Sequence, residues 1–142
     1  MSKTDLQQRQ DGLIRLFEGA PIIRTFGMKL QYNEEHQAIV DLPFNPGLDH
    51  ALLQTHGGAL ATLLDTAGWF TVAPHFDTWV ATVEFSTRLL EPTEKQDLRA
   101  TGRILRLGRR LVVAEMQVKD LQGRRIATGA GTFAVSDRPL SV

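Results

Sequence analysis

Apolar positions recur along this chain in two rhythms. Between Asp5 and Glu18, the residues Leu6, Leu13, Ile14, Leu16 and Phe17 fit one face of a helix that Gly12 weakens and Gly19-Ala20-Pro21 ends. From Phe26 to Tyr32 the period drops to two. Phe26, Met28, Leu30 and Tyr32 point one way and Lys29 and Gln31 the other, the pattern of a half-buried strand. Ala38 to Leu42 alternates again and Pro43 closes it. Asn33-Glu34-Glu35 joins these two strands, and Asn45-Pro46-Gly47 marks a turn beyond them. The segment from about Gly57 to Ala73 is apolar or small on almost every side and stops at Pro74. Four strand-like segments follow: Trp79 to Leu90, Leu98 to Leu107, Leu111 to Lys119 and Arg125 to Val135. Gly108-Arg109-Arg110 and Gln122-Gly123-Arg124 supply hairpin turns.

This order predicts an α+β fold in one domain spanning residues 1–142. An N-terminal helix (about 5–18) precedes a core (about 26–135) with one long helix and a six-stranded antiparallel sheet. A helix that is apolar all round must be covered all round. The sheet must therefore curl around it, or a second subunit must share the task.

Composition narrows the picture. Sixteen basic residues balance sixteen acidic ones, which removes any global electrostatic drive toward nucleic acid or membrane. The absence of cysteine excludes disulfides, thiolate metal sites and a cysteine nucleophile. No His, Asp and Glu grouping has ligand spacing, so no metal is expected. The first residues, MSKTDLQQRQDGL, lack an apolar signal core, and Asp65 and several threonines interrupt the longest apolar run. A cytoplasmic protein with no membrane span is expected.

Charge singles out one residue. Between Asp49 and Asp77, Asp65 is the only Asp, Glu, Lys or Arg, and it lies inside the most apolar segment. Burying a carboxylate is costly unless it is paired. It is either a structural residue satisfied by a threonine hydroxyl or water, or a functional one. The same helix opens with Gly57-Gly58. Helix N-termini present unpaired N–H groups and partial positive charge, and glycine lets another carbonyl approach the backbone. That makes a candidate oxyanion hole, although these glycines also suit close packing. Asp65 stands about 12 Å along the axis from Gly57. One helix cannot bring both to the same atom; two helices from two subunits can.

The segment Thr55-His56-Gly57-Gly58, the acid eight residues after the first glycine, and the strand order together resemble the hotdog-fold acyl-CoA thioesterases. The closest likeness is to the group typified by phenylacetate-pathway (PaaI-like) enzymes, from about Phe26 to Val135. The resemblance implies a curved six-stranded antiparallel sheet wrapped around the central helix. It implies hydrolysis of an acyl-CoA to a free acid and CoA, with no cofactor, by at least a dimer and commonly a tetramer. It further implies that Gly57 N–H polarises the thioester carbonyl. Asp65 of the partner would act as general base or nucleophile, Thr82 would hold the attacking water, and His50 would stand where relatives carry an amide. His56 and Gly58 fall at the substrate-binding helix start. A relative subgroup carries a hydroxyl four residues after its acid; here that position is Trp69.

Other features stay open. Trp69, Phe70, Trp79 and Phe85 read mainly as core, with one or two lining an acyl pocket. His75 reads as a surface residue. Arg103, Arg106, Arg109, Arg110, Arg124 and Arg125 surround two turns; Arg109 and Arg110 are the candidates for CoA phosphates, against the alternative of a solvated turn. Two other functions compete with hydrolysis: a hotdog dehydratase acting on hydroxyacyl thioesters, and a non-catalytic acyl-CoA-binding module.

Overall fold

The computed structural model describes residues Met1–Val142. Its elements run α1 (Lys3–Gly19), α2 (Pro21–Phe26), β1 (Lys29–Tyr32), β2 (Ala38–Leu42), α3 (Gly57–Val72), β3 (Thr78–Leu89), β4 (Leu98–Leu107), β5 (Leu111–Asp120) and β6 (Arg125–Pro139). Short 3-10 turns cover Pro46–Leu48 and Ala73–His75. The six strands form one antiparallel sheet in the order β1-β2-β4-β5-β6-β3. This is the expected α+β hotdog architecture, with the sheet folded around α3. No helix is long and apolar enough to cross a membrane.

The α1 helix starts earlier than its apolar spacing suggests, because Ser2 and Asp5 form a reciprocal capping box. Gly19-Ala20 does end it, but Pro21 opens a second short helix instead of a loop. Pro21 sits in the first turn, where its missing N–H costs nothing. Phe26 therefore belongs to α2, and the strand begins only at Lys29. Gly27, at φ 82°, takes the left-handed turn between them. At the far end β6 extends to Pro139, past the expected Val135.

Alternation on the strands carries most of the core. Val112, Ala114, Met116 and Val118 of β5 are all buried, as are Val40 of β2 and Ala100 of β4. Against them α3 sets Leu60, Leu63, Leu64, Ala67 and Phe70. Gly102 lets β4 approach the helix: a Cβ there would lie 2.7 Å from the Ala67 carbonyl oxygen. Thr71 completes the joint. Its hydroxyl donates to Ala67 O and accepts from the Ala38 N–H of β2 at 3.0 Å, so a buried strand donator is satisfied by a helix side chain.

The N-terminal helices lie across the far end of α3. Leu13 and Phe17 are buried, and the Phe17 ring meets Phe70 edge-on at 5.1 Å. His75 is half-buried here and not a surface residue. Burial is the main reason its imidazole titrates below the usual histidine value, with the charges of His36 and Arg9 acting in the same direction.

Candidate active site

Sheet and N-terminal helices leave one stripe of α3 partly uncovered: Gly58, Ala61, Thr62, Asp65, Thr66 and Trp69. The spacing is that of one helical face. Thr62 and Thr66 turn their hydroxyls back onto Gly58 O and Thr62 O, which leaves Asp65 as the only polar group of the stripe reaching outward.

Thr82 of β3 donates its hydroxyl to Asp65 Oδ1 at 2.8 Å. Thr82 faces the helix in step with buried Val80 two residues earlier, and a break in strand regularity follows it. The register of β3 against β6 slips between Thr82 and Glu84, so Val83 is an extra residue. Thr82 pairs with buried Phe133, and Phe85 pairs with buried Gly131 three positions later. One hydrogen bond does not satisfy a carboxylate, which offers about four acceptor positions. Partial burial raises the pKa of Asp65 above the usual aspartate value, and the Thr82 bond opposes that rise. The structural reading, a carboxyl answered by a threonine, is thus met only in part.

Asp65 lines an apolar cleft of about 570 Å³. Trp69, Phe70 and Trp79 form one side of it, and Leu16, Ile22 and Ile23 of the N-terminal helices form the other. Trp69 is fixed by its Nε1–H bond to Val80 O, and its ring lies 5.0 Å from that of Trp79. Phe70 and Phe85 belong to or pack on the core. The contribution of α1 and α2 to this cleft was missed from sequence. Periodicity gave no separate signal for it, because Leu16 lies beside Leu13 and Phe17 on one apolar face.

At the start of α3, His56 is the N-cap. Its Nδ1 accepts the Gly58 N–H at 2.8 Å, and its carbonyl accepts the Ala59 N–H. Gly58 N–H is therefore occupied. Gly57 N–H meets no acceptor within the protomer and points from the positive end of the helix. A second cleft, of about 270 Å³, brings Gly57 together with His50, Gln54 and Leu89. His50 Nδ1 accepts from the Leu52 N–H at 3.1 Å, which puts the proton of the neutral ring on Nε2 and leaves that nitrogen a donor.

The candidates thus fall into two groups in one protomer: Asp65 with Thr82, and Gly57 with His50, His56 and Gly58. Arg109 and Arg110 join neither; they are exposed at the β4–β5 turn. Arg103 is paired with Glu115, and Arg124 is held by Asp120 and Pro92 O.

The chain matches the family model described as the thioesterase superfamily over residues 55–127. It is 25% identical over 115 residues to a protein of Saccharolobus solfataricus that carries an esterase name, covering 80% of this chain and 82% of that one. It is 34% identical over 90 residues to a similarly named protein of Halobacterium salinarum, covering 56% and 59%. Among solved structures, the PaaI protein of the Escherichia coli phenylacetic acid degradation operon superposes with a TM-score of 0.86 at 17% identity, covering 97% and 98%. A thioesterase family protein of Silicibacter pomeroyi does so with 0.82 at 23%, covering 92% and 99%. These structural matches share the hotdog fold, and the family match spans just over half of the sequence: the chain belongs to the thioesterase superfamily.

Proposed function

We propose that the protein is an acyl-CoA thioesterase whose active site forms between two subunits. The observation that carries this reading is a division of labour. A half-buried carboxylate and an unpaired helix N-terminal N–H sit on one helix, too far apart to act together, each opening into its own cleft. A second copy that brings its α3 alongside unites them.

Two features favour such a copy. The sheet ends on β3, a 12-residue edge strand with Val83 59% exposed, and long unpaired edges are templates for another chain. The uncovered stripe of α3 borders the same edge through Asp65 and Thr82. Twofold pairing of β3 strands would bring the two stripes together and make two equivalent sites. A dimer is the minimum, and a dimer of dimers is the first expectation.

In this reading Gly57 N–H of the partner subunit, helped by the partner's His50 Nε2–H, holds the thioester oxygen. Asp65 takes a proton from a water steadied by Thr82, and the water oxygen attacks the carbonyl carbon. Negative charge gathers on the oxygen facing the helix N-terminus. Collapse breaks the C–S bond; the thiolate leaves and takes up the proton, giving acid and CoA. Desolvation makes Asp65 a stronger base than a solvated aspartate. Attack by Asp65 itself, through an anhydride, uses the same geometry.

A thiol-release assay over short, long and aromatic acyl-CoAs tests the proposal. Release with at least one class is expected, and binding without release from any would replace hydrolysis with a binding role. The pH profile adds a second test. The base must be ionised, so kcat/KM falls as pH drops through the Asp65 pKa, and this limb lies above the ordinary value of 3.8. Thr82→Val removes the bond that lowers that pKa, so the limb should move to higher pH. A limb unchanged or shifted downward would remove Thr82 from this role.

A further inference from the structure

Asp65 and the substrate's carbonyl carbon must both touch the attacking water, so the carbon comes to within a few ångströms of the carboxylate. Whatever hangs from that carbon on the side away from sulfur must enter the space next to Asp65. In the protomer that space is the apolar cleft between α3 and the N-terminal helices. Three large apolar side chains from three elements open into it while exposed to water: Leu16 of α1 (36%), Ile22 of α2 (52%) and Trp79 of β3 (40%). Gly19 and Ala20, at the break between α1 and α2, line it with almost no side chain and keep it open. Its volume of about 570 Å³ falls within the range of small-molecule pockets, and an acetyl group would leave most of it empty.

We infer that the α1–α2 elbow is the wall of the acyl pocket, with Leu16 and Ile22 as specificity residues, and that the substrates are thioesters of medium-chain or aromatic apolar acids. The inference rests on the proposed thioester hydrolysis. It assigns the acyl half of each site to the subunit that supplies Asp65 and the carbonyl grip to its partner. Each further methylene of a straight acyl chain should raise kcat/KM about fourfold until the cleft is filled.

Two measurements test it. Both tryptophans of the chain, Trp69 and Trp79, line the cleft, so intrinsic fluorescence reports its occupancy. Titration with S-octyl-CoA, a thioether that cannot be hydrolysed, should shift tryptophan emission to the blue, and S-methyl-CoA should not. In kinetics, the double variant Leu16→Gln/Ile22→Gln should lower kcat/KM on octanoyl-CoA at least tenfold more than on acetyl-CoA. Ala20→Phe, compatible with the extended backbone there (φ −78°, ψ 129°), should fill the cleft and move the optimum to shorter chains. Equal losses on all chain lengths, or no response to S-octyl-CoA, would overturn the pocket assignment. Failure of the wild-type protein to release thiol from any acyl-CoA, with S-octyl-CoA still shifting the emission, would instead overturn hydrolysis.

Discussion

Asp65→Asn should fold like the parent and lose about 10²- to 10⁴-fold in turnover of acyl-CoA, the range expected for removal of a general base. Asparagine has the same shape, and its Oδ1 still accepts the Thr82 hydroxyl, so the cleft keeps its geometry. What it lacks is basicity. The stability consequence has the opposite sign. Burial raises the Asp65 pKa in the folded state, so this group stabilises the fold when protonated, below its ordinary pKa. That contribution is lost as pH rises through the folded value, and at neutral pH the ionised carboxylate weighs against folding. Asp65→Asn should therefore melt at or above the parental temperature at pH 7. Dead enzyme with an equal or higher melting point separates a catalytic carboxylate from a structural one. Near-parental turnover would remove Asp65 from the mechanism, and a marked fall in melting temperature would restore the structural reading.

Gly57→Pro should cost about 10²- to 10³-fold in kcat, the typical effect of deleting one oxyanion donor. The substitution removes a single N–H and leaves the helix start suited to it. Proline is favoured at the first helical position, and the residue before it must be extended. His56 already has φ −62° and ψ 138°. The added ring meets mainly the tip of Leu89, a flexible neighbour, since a Cβ at Gly57 would lie 2.7 Å from Leu89 Cδ1. Gly57→Ala makes the same contact, keeps the N–H, and should retain most activity.

The two dead variants together give the sharper test. When Asp65→Asn and Gly57→Pro chains are unfolded and refolded as an equal mixture, half of the dimers are hybrids. Each hybrid carries one site with both defects and one with neither, so about a quarter of parental activity should return. A site built within one protomer would show no recovery.

Much of this was legible in the chain. Alternation puts Val112, Ala114, Met116 and Val118 of β5 on one side, and all four are buried; Pro74 stops the regular central helix. Asp65 declared itself as a lone charge in an apolar helix, and simple rise per residue separated it from Gly57. Those are local properties, set by residues within a few turns or a few pleats of each other. Other features depended on distant residues. Thr82 keeps step with Val80, but Val83 bulges out of the pairing with β6, so Phe85 and not Glu84 turns inward next, and no count of alternating positions within β3 reveals which side a residue takes after a slip. The order of strands left β3 at the edge, which hydrogen bonds with β6, some 45 residues later in the chain, decide. Leu16 and Ile22 became neighbours of Asp65 only because Phe17 packs on Phe70 and swings the N-terminal helices over the end of α3. Most elements and the anomalous acid could be read from the chain, because periodicity is a short-range code. What surrounds that acid came from the tertiary fold, because which strand faces the helix and where distant helices meet are set by pairing and packing across the chain.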